Sequence, residues 1–185
     1  MRRVLVLTIV MATMLALAAP VSAKVKERQA EGGTMFTLNP TCDPSLADPA
    51  TACDLDLGTG ILTLTLLNPG TKTGTFKGTQ LLTADFLLNV FTNEFTYSGT
   101  VVFNGRVKAC GVGTVVMDVV GEGFLDADGN ATFIVNDQTI NPALSTLPIE
   151  GILREPGFLP TDPETGVGSG DYEGEYTCDH SGSDS

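Results

Sequence analysis

The residues best spaced for chemistry in this chain are three carboxylates near its C-terminal end, Asp171, Glu173 and Glu175. They alternate with Tyr172, Gly174 and Tyr176, so on an extended strand the acids share one face and the tyrosines the other. Neighbouring acids on that face stand roughly 6.5–7 Å apart, a spacing that overlaps the acid–base pair of an inverting glycosidase. Such chemistry requires Glu173, Glu175 or the earlier Asp118 to face a pocket; if the tyrosines turn inward, the acids are a solvated outer face. Asp126, Asp128 and Asn130 repeat at calcium-loop spacing, with Asp137 twelfth from Asp126. Ala131 stands at the sixth position, where that loop needs glycine, and a β-turn explains Asp128-Gly129-Asn130 equally well. His180 is the sole histidine and sits in a tail (179–185) that reads as disordered, without the rigid placement a general base needs. The cysteine spacing fits no zinc site and no glycine loop opens a helix, so neither a metal nor a cofactor is expected.

The elements that must position these residues are strands. In 61–66, leucines and threonines alternate; Phe95, Tyr97, Gly99, Val101 and Phe103 share one face of another strand, against Glu94, Thr96, Ser98 and Thr100. Period two is the mark of half-buried antiparallel strands. Asn104-Gly105 reads as a hairpin turn. A run from 106 to 124 carries Gly113, Val115, Met117, Val119 and Gly121 on one parity, and a turn at 126–130 leads into 131–135. Further strands are expected at 34–38, 73–80, 85–91 and 168–177. No segment carries a helical stripe. The expected fold is all-β: a single antiparallel barrel of about eight strands spanning 34–178, or else a two-sheet sandwich. Residues 24–33 read as a mobile N-terminus. The segment 138–166, with Pro142, Pro148, Pro156, Pro160 and Pro163, reads as a loop insertion with a short strand at 149–153. It would be a surface crossover, or a lid whose apolar underside is Ile152, Phe158 and Leu159.

Residues 1–23 have the layout of a secretory signal peptide: Arg2-Arg3, an apolar run too short to span a bilayer, and a small-residue site ending at Ala23. The expected product is secreted, extracellular or periplasmic, without a stable membrane anchor. Eight Lys and Arg then remain against 22 Asp and Glu, which disfavours nucleic acid and anionic membranes as partners. In an oxidising compartment four cysteines favour two bridges, and proximity selects Cys42–Cys53 and Cys110–Cys178 among three pairings. The sequon Asn130-Ala131-Thr132 matters only in a eukaryotic source.

Three glycine-bearing stretches follow in order: Thr73-Gly74-Thr75-Phe76-Lys77-Gly78-Thr79, Cys110-Gly111-Val112-Gly113-Thr114, and Gly168-Ser169-Gly170-Asp171-Tyr172-Glu173-Gly174-Glu175-Tyr176. Together they resemble small β-barrel families of the allene oxide cyclase and dirigent type, including bacterial relatives of unknown function, over roughly residues 74–177. The resemblance implies an eight-stranded antiparallel barrel with an apolar interior. The insertion at 138–166 departs from the family's short last connection. No catalytic residue of the cyclases matches a position here, so the resemblance does not carry their activity over.

Two functions fit this reading best. One is a non-catalytic barrel holding a small apolar ligand against Phe95, Tyr97, Phe103, Met117 and Tyr172. The other is a carboxylate-based enzyme, a cyclase, isomerase or glycosidase. A surface or matrix interaction protein is a third, and it requires an exposed apolar patch.

Overall fold

The computed structural model describes residues 26–37, 53–127, 131–162 and 167–179. The expected signal peptide (1–23), Cys42, Asp128, Asn130 and His180 lie outside the described residues. Ten strands follow one another: β1 (Arg28–Thr37), β2 (Cys53–Asp56), β3 (Ile61–Lys72), β4 (Phe76–Asn89), β5 (Glu94–Val107), β6 (Gly111–Leu125), β7 (Ala131–Ile140), β8 (Ile149–Arg154), β9 (Gly157–Asp162) and β10 (Val167–Cys178). All pair antiparallel. The sheet runs β1-β10-β8-β7-β6-β5-β4-β3, and Thr34, Met35 and Phe36 of β1 pair with Lys72, Thr71 and Gly70 of β3 to close it. β8 and β9 share one stave, since each lies between β7 and β10. The molecule is therefore a closed eight-stave barrel, as the alternation predicts, with β2 as an extra strand on β3.

Parity decides what faces in. On β4 every second residue from Phe76 through Gln80 to Ala84 and Phe86 is shielded, while Lys77, Thr79, Leu81 and Asp85 are exposed. On β5 the inward set is Phe95, Val101, Phe103 and Val107, and on β6 it is Val115, Met117 and Val119. One end of the barrel is packed solid. Phe76 lies edge-on to Phe103 at 5.4 Å and to Tyr176 at 6.0 Å, with Val107, Val115, Ile149 and Leu153 around them. Two tyrosine hydroxyls tie the turns of this end to β10. Tyr172 donates to the Thr73 carbonyl and accepts from the Phe76 amide, and Tyr176 donates to the Lys108 carbonyl, each at 2.8 Å. Burial pushes the Tyr172 hydroxyl up to about 12, so it stays protonated and donating. The Cys110–Cys178 disulfide joins the turn before β6 to the end of β10, with Cα atoms 5.6 Å apart, and fits an oxidising compartment. The partner expected for Cys53, Cys42, is outside the described residues.

Four expectations change. Residues 28–33 belong to β1 rather than to a mobile terminus. The stretches 73–80 and 85–91 are one strand, β4, because Leu81–Ala84 continues its alternation; the turn precedes it at 73–75, where Gly74 takes φ +88°. Asn104-Gly105 makes no turn. Both residues pair within β4–β5, and the chain reverses at 108–110, with Ala109 at φ +64°. Gly105 serves close packing instead: a Cβ there would stand 2.8 Å from both the Gly78 Cα and the Phe103 ring. Finally, 138–166 is mostly wall. It finishes β7 and supplies β8 and β9, the eighth stave, so Ile152 is paired strand and not the underside of a lid. The side chains of Phe158 and Leu159 are outside the described residues. The prolines mark the connection at 141–148 and the break at Pro156 between the two half-strands.

Candidate functional site

Away from the packed end several inward residues are only half-buried: Leu62, Leu64 and Leu66 on β3, Phe86 on β4, Tyr97 on β5 and Phe133 on β7. Their rings form a continuous wall with buried Phe95. Phe86 stacks on Phe95 at 5.4 Å, Phe133 meets Phe95 edge-on at 5.6 Å, and Tyr97 lies 5.9 Å from Phe133.

Between this wall and the packed end runs a belt of buried polar side chains, and at its centre is an ion pair. The Lys72 ammonium, on a side chain fully screened from solvent, donates to Glu155 Oε1 at 2.7 Å and to Thr34 Oγ1 at 2.9 Å. It also lies 4.6 Å from the centroid of the Tyr172 ring. The Thr34 hydroxyl donates to the same Glu155 oxygen at 2.8 Å. Burial works to raise the Glu155 carboxyl, but the Lys72 charge and hydrogen bonds from Lys72, Gln138 and Thr34 outweigh it and hold the group below its ordinary range. Glu155 is therefore ionised and well supplied with donors. Tyr97 donates to Asn136 Oδ1 at 2.8 Å. Burial first, and then the Glu155 charge, raise its hydroxyl far above the usual phenol range, so it remains a neutral donor. Gln80 and Gln138 complete the belt, and the Oε1 atom of each has no hydrogen-bond partner.

The broken stave places Glu155. β8 ends at Arg154 and Pro156 cannot donate to a ladder, so the chain steps inward between the two half-strands. The Glu155 amide still reaches the Asn136 carbonyl at 3.4 Å, and Phe133 donates to the Pro156 carbonyl at 3.2 Å. β10 pairs β9 as far as Ser169 and β8 from Glu173, which leaves 170–172 opposite the break. Outside it lies a groove of about 610 Å³ whose lining includes Met35, Thr71, Pro156, Gly157 and Asp171, and it reaches inward to Thr34.

The carboxylates that head the sequence reading do not assemble a site. Asp118, Asp171, Glu173 and Glu175 are all on the outer face, because Tyr172, Gly174 and Tyr176 turn inward. Asp118 accepts a hydrogen bond from Asn141 at 3.0 Å, and Glu175 from Gln29 at 3.3 Å. The enzyme reading needs Asp118, Glu173 or Glu175 to face a pocket and finds none of them doing so; Asp171 alone of the four borders the outer groove. Asp137, offered as a calcium ligand, pairs with Arg154 at 2.9 Å. The five residues expected to line a ligand divide into two sets. Phe95 and Tyr97 belong to the aromatic wall, whereas Phe103, Met117 and Tyr172 are sealed into the packed end. Sequence reasoning missed Lys72, Glu155, Gln80, Asn136 and Gln138. A signal existed for Lys72, which shares the parity of Leu62, Leu64 and Leu66 on β3.

Gly121 is part of this construction. A Cβ added there would run into the Tyr97 ring. Gly121→Ala is expected to cost about 1–3 kcal/mol in urea unfolding and to disrupt the Tyr97–Asn136 hydrogen bond, visible as a changed tyrosine near-ultraviolet dichroism.

No protein-family model matches the chain, and no curated protein matches it.

Proposed function

We propose that this protein is an exported, non-catalytic binding barrel that holds a small, largely apolar molecule between the aromatic wall and the polar belt. The polar belt is the observation that carries the reading. A barrel of eight strands that only needed a core would fill itself with apolar side chains, and an apolar substitute for a buried ion pair is often the more stable choice. Ligand sites, by contrast, combine apolar walls with a few placed polar groups. Phe86, Phe95, Tyr97 and Phe133 are such walls, and Lys72, Glu155, Gln80 and Gln138 are such groups. The non-catalytic reading is supported by Glu155, which its ion pair with Lys72 and its other donors hold in the ionised form, a poor general acid. The likeness to allene oxide cyclase and dirigent-type barrels agrees with the architecture and is kept as part of this proposal, without the cyclase activity. Export rests on the layout of residues 1–23 together with the Cys110–Cys178 bridge.

Diphenylhexatriene, an apolar fluorophore that brightens when shielded from water, tests the reading. Purified protein is expected to bind it at one site with micromolar affinity or better, and long-chain aliphatic molecules are expected to displace it. A titration with no saturable brightening overturns the proposal.

A second reading has its own observation. Val120, Phe124, Ile134 and Val135 are exposed on the adjoining strands β6 and β7, the apolar patch that an interaction protein requires. It predicts self-association on a sizing column, and a monomer at all concentrations removes it.

A further inference from the structure

We infer that the polar end of the bound molecule is a neutral hydrogen-bond donor, in the simplest case an alcohol, and not a carboxylate. This rests on the reading of the barrel as a small-molecule carrier and specifies its ligand class. The belt presents a one-sided chemistry to an arriving group. Lys72 is the one buried Lys or Arg among the described residues. Its ammonium has three donor directions, and Glu155, Thr34 and the face of Tyr172 occupy them. Its charge is already matched by Glu155. A carboxylate brought beside that pair would add a second negative charge in a poorly solvated place.

The hydroxyls are committed as well. Thr34 donates to Glu155 and accepts from Lys72, and Tyr97 donates to Asn136. The capacity left over is acceptor capacity, at Gln80 Oε1 and Gln138 Oε1, both on side chains more than nine-tenths buried and without a partner. A buried acceptor left unmade costs free energy, and a ligand that donates to it recovers that cost. A hydroxyl can do so; an ether or an ionised carboxylate offers acceptors alone. Among molecules with the same hydrocarbon tail, the head group should therefore set the order of affinity.

Displacement of diphenylhexatriene by 1-dodecanol, its methyl ether and dodecanoate reads that order directly. At neutral pH the alcohol is expected to displace the dye at a concentration about tenfold below either competitor. Gln80→Met keeps the length of the side chain and removes the acceptor. In that variant the alcohol and the ether should become equal, read as the ratio of their displacing concentrations so that any change in dye affinity cancels. Gln138→Met is the supporting variant, because the Gln138 side chain also donates to Glu155. The inference is overturned if dodecanoate displaces best, if alcohol and ether are equal on the unaltered protein, or if the preference survives both substitutions. Those results leave the carrier reading standing. Failure of the dye itself to bind removes the carrier reading.

Discussion

Lys72→Met is expected to destabilise the barrel by about 3–5 kcal/mol in urea unfolding at neutral pH. The substitution conserves volume, so the loss comes from Glu155, which is left ionised in the belt without its counter-charge. The double variant Lys72→Met/Glu155→Leu removes both charges and should recover most of that loss, since an apolar pair in place of a buried ion pair is often neutral or better. The pH dependence separates this account from simple repacking. In the unaltered protein the Glu155 carboxyl lies below its ordinary range. Its contribution is then fully present above the ordinary carboxylate pKa and is lost as pH falls through the lowered folded value. In Lys72→Met the largest remaining influence is burial, which raises the group. A raised carboxyl reverses the sign, so the variant loses stability as pH rises toward neutrality, and its deficit should shrink as pH falls toward the carboxylate range. Parallel stability–pH curves for the two proteins would contradict the assignment.

The second large effect concerns the covalent tie. Cys110→Ser/Cys178→Ser is expected to cost about 4 kcal/mol, the chain-entropy value for a loop of this length, since the bridged residues are 68 apart in sequence. That loop contains β6 to β10, including the broken stave that presents Glu155. A domain of this size has a total stability of about 5–15 kcal/mol, so the variant should unfold roughly 8–16 °C below the parent in thermal scans. The packed end, where Cys178 joins Phe76, Phe103 and Tyr176, should loosen first. Tyr176, whose hydroxyl closes onto Lys108 two residues from Cys110, is the local reporter. An unchanged melting temperature would mean that the tyrosine latches and the ring cluster already close this end without the bridge.

The barrel was legible in the sequence because its strands announce themselves by parity. Phe95, Val101 and Phe103 on β5 and Val115, Met117 and Val119 on β6 are inward as alternation requires. The same rule turned Tyr172 and Tyr176 inward and exposed Glu173 and Glu175, which decided against the carboxylate site. The belt was harder to read. Lys72 and Gln80 lie on inward parities, but a charged or amide side chain is ordinarily solvated, so parity and residue type gave opposite answers. Asn136 falls just past the strand expected at 131–135, and Gln138 opens the stretch expected as a loop, so neither reads as an inward strand residue. A bulge in β7, where Ile134 is the extra residue opposite Glu122 and Gly123 of β6, changes the facing of β7 partway along, and Phe133 and Asn136 both end up inward. Glu155 was hidden by prolines. Pro148 and Pro156 suggest a loop, yet they bound a half-strand, and the residue between β8 and Pro156 is the one aimed at Lys72.

Native mass spectrometry of the protein purified without detergent tests the central claim most directly. The account predicts a second charge-state series at one-to-one stoichiometry when 1-dodecanol is added, and its loss on gentle collisional activation with the Cys110–Cys178 bridge intact. Protein that stays at its own mass across the whole range of added alcohol would contradict it, and the polar belt would then be a costly but purely structural layer of the core.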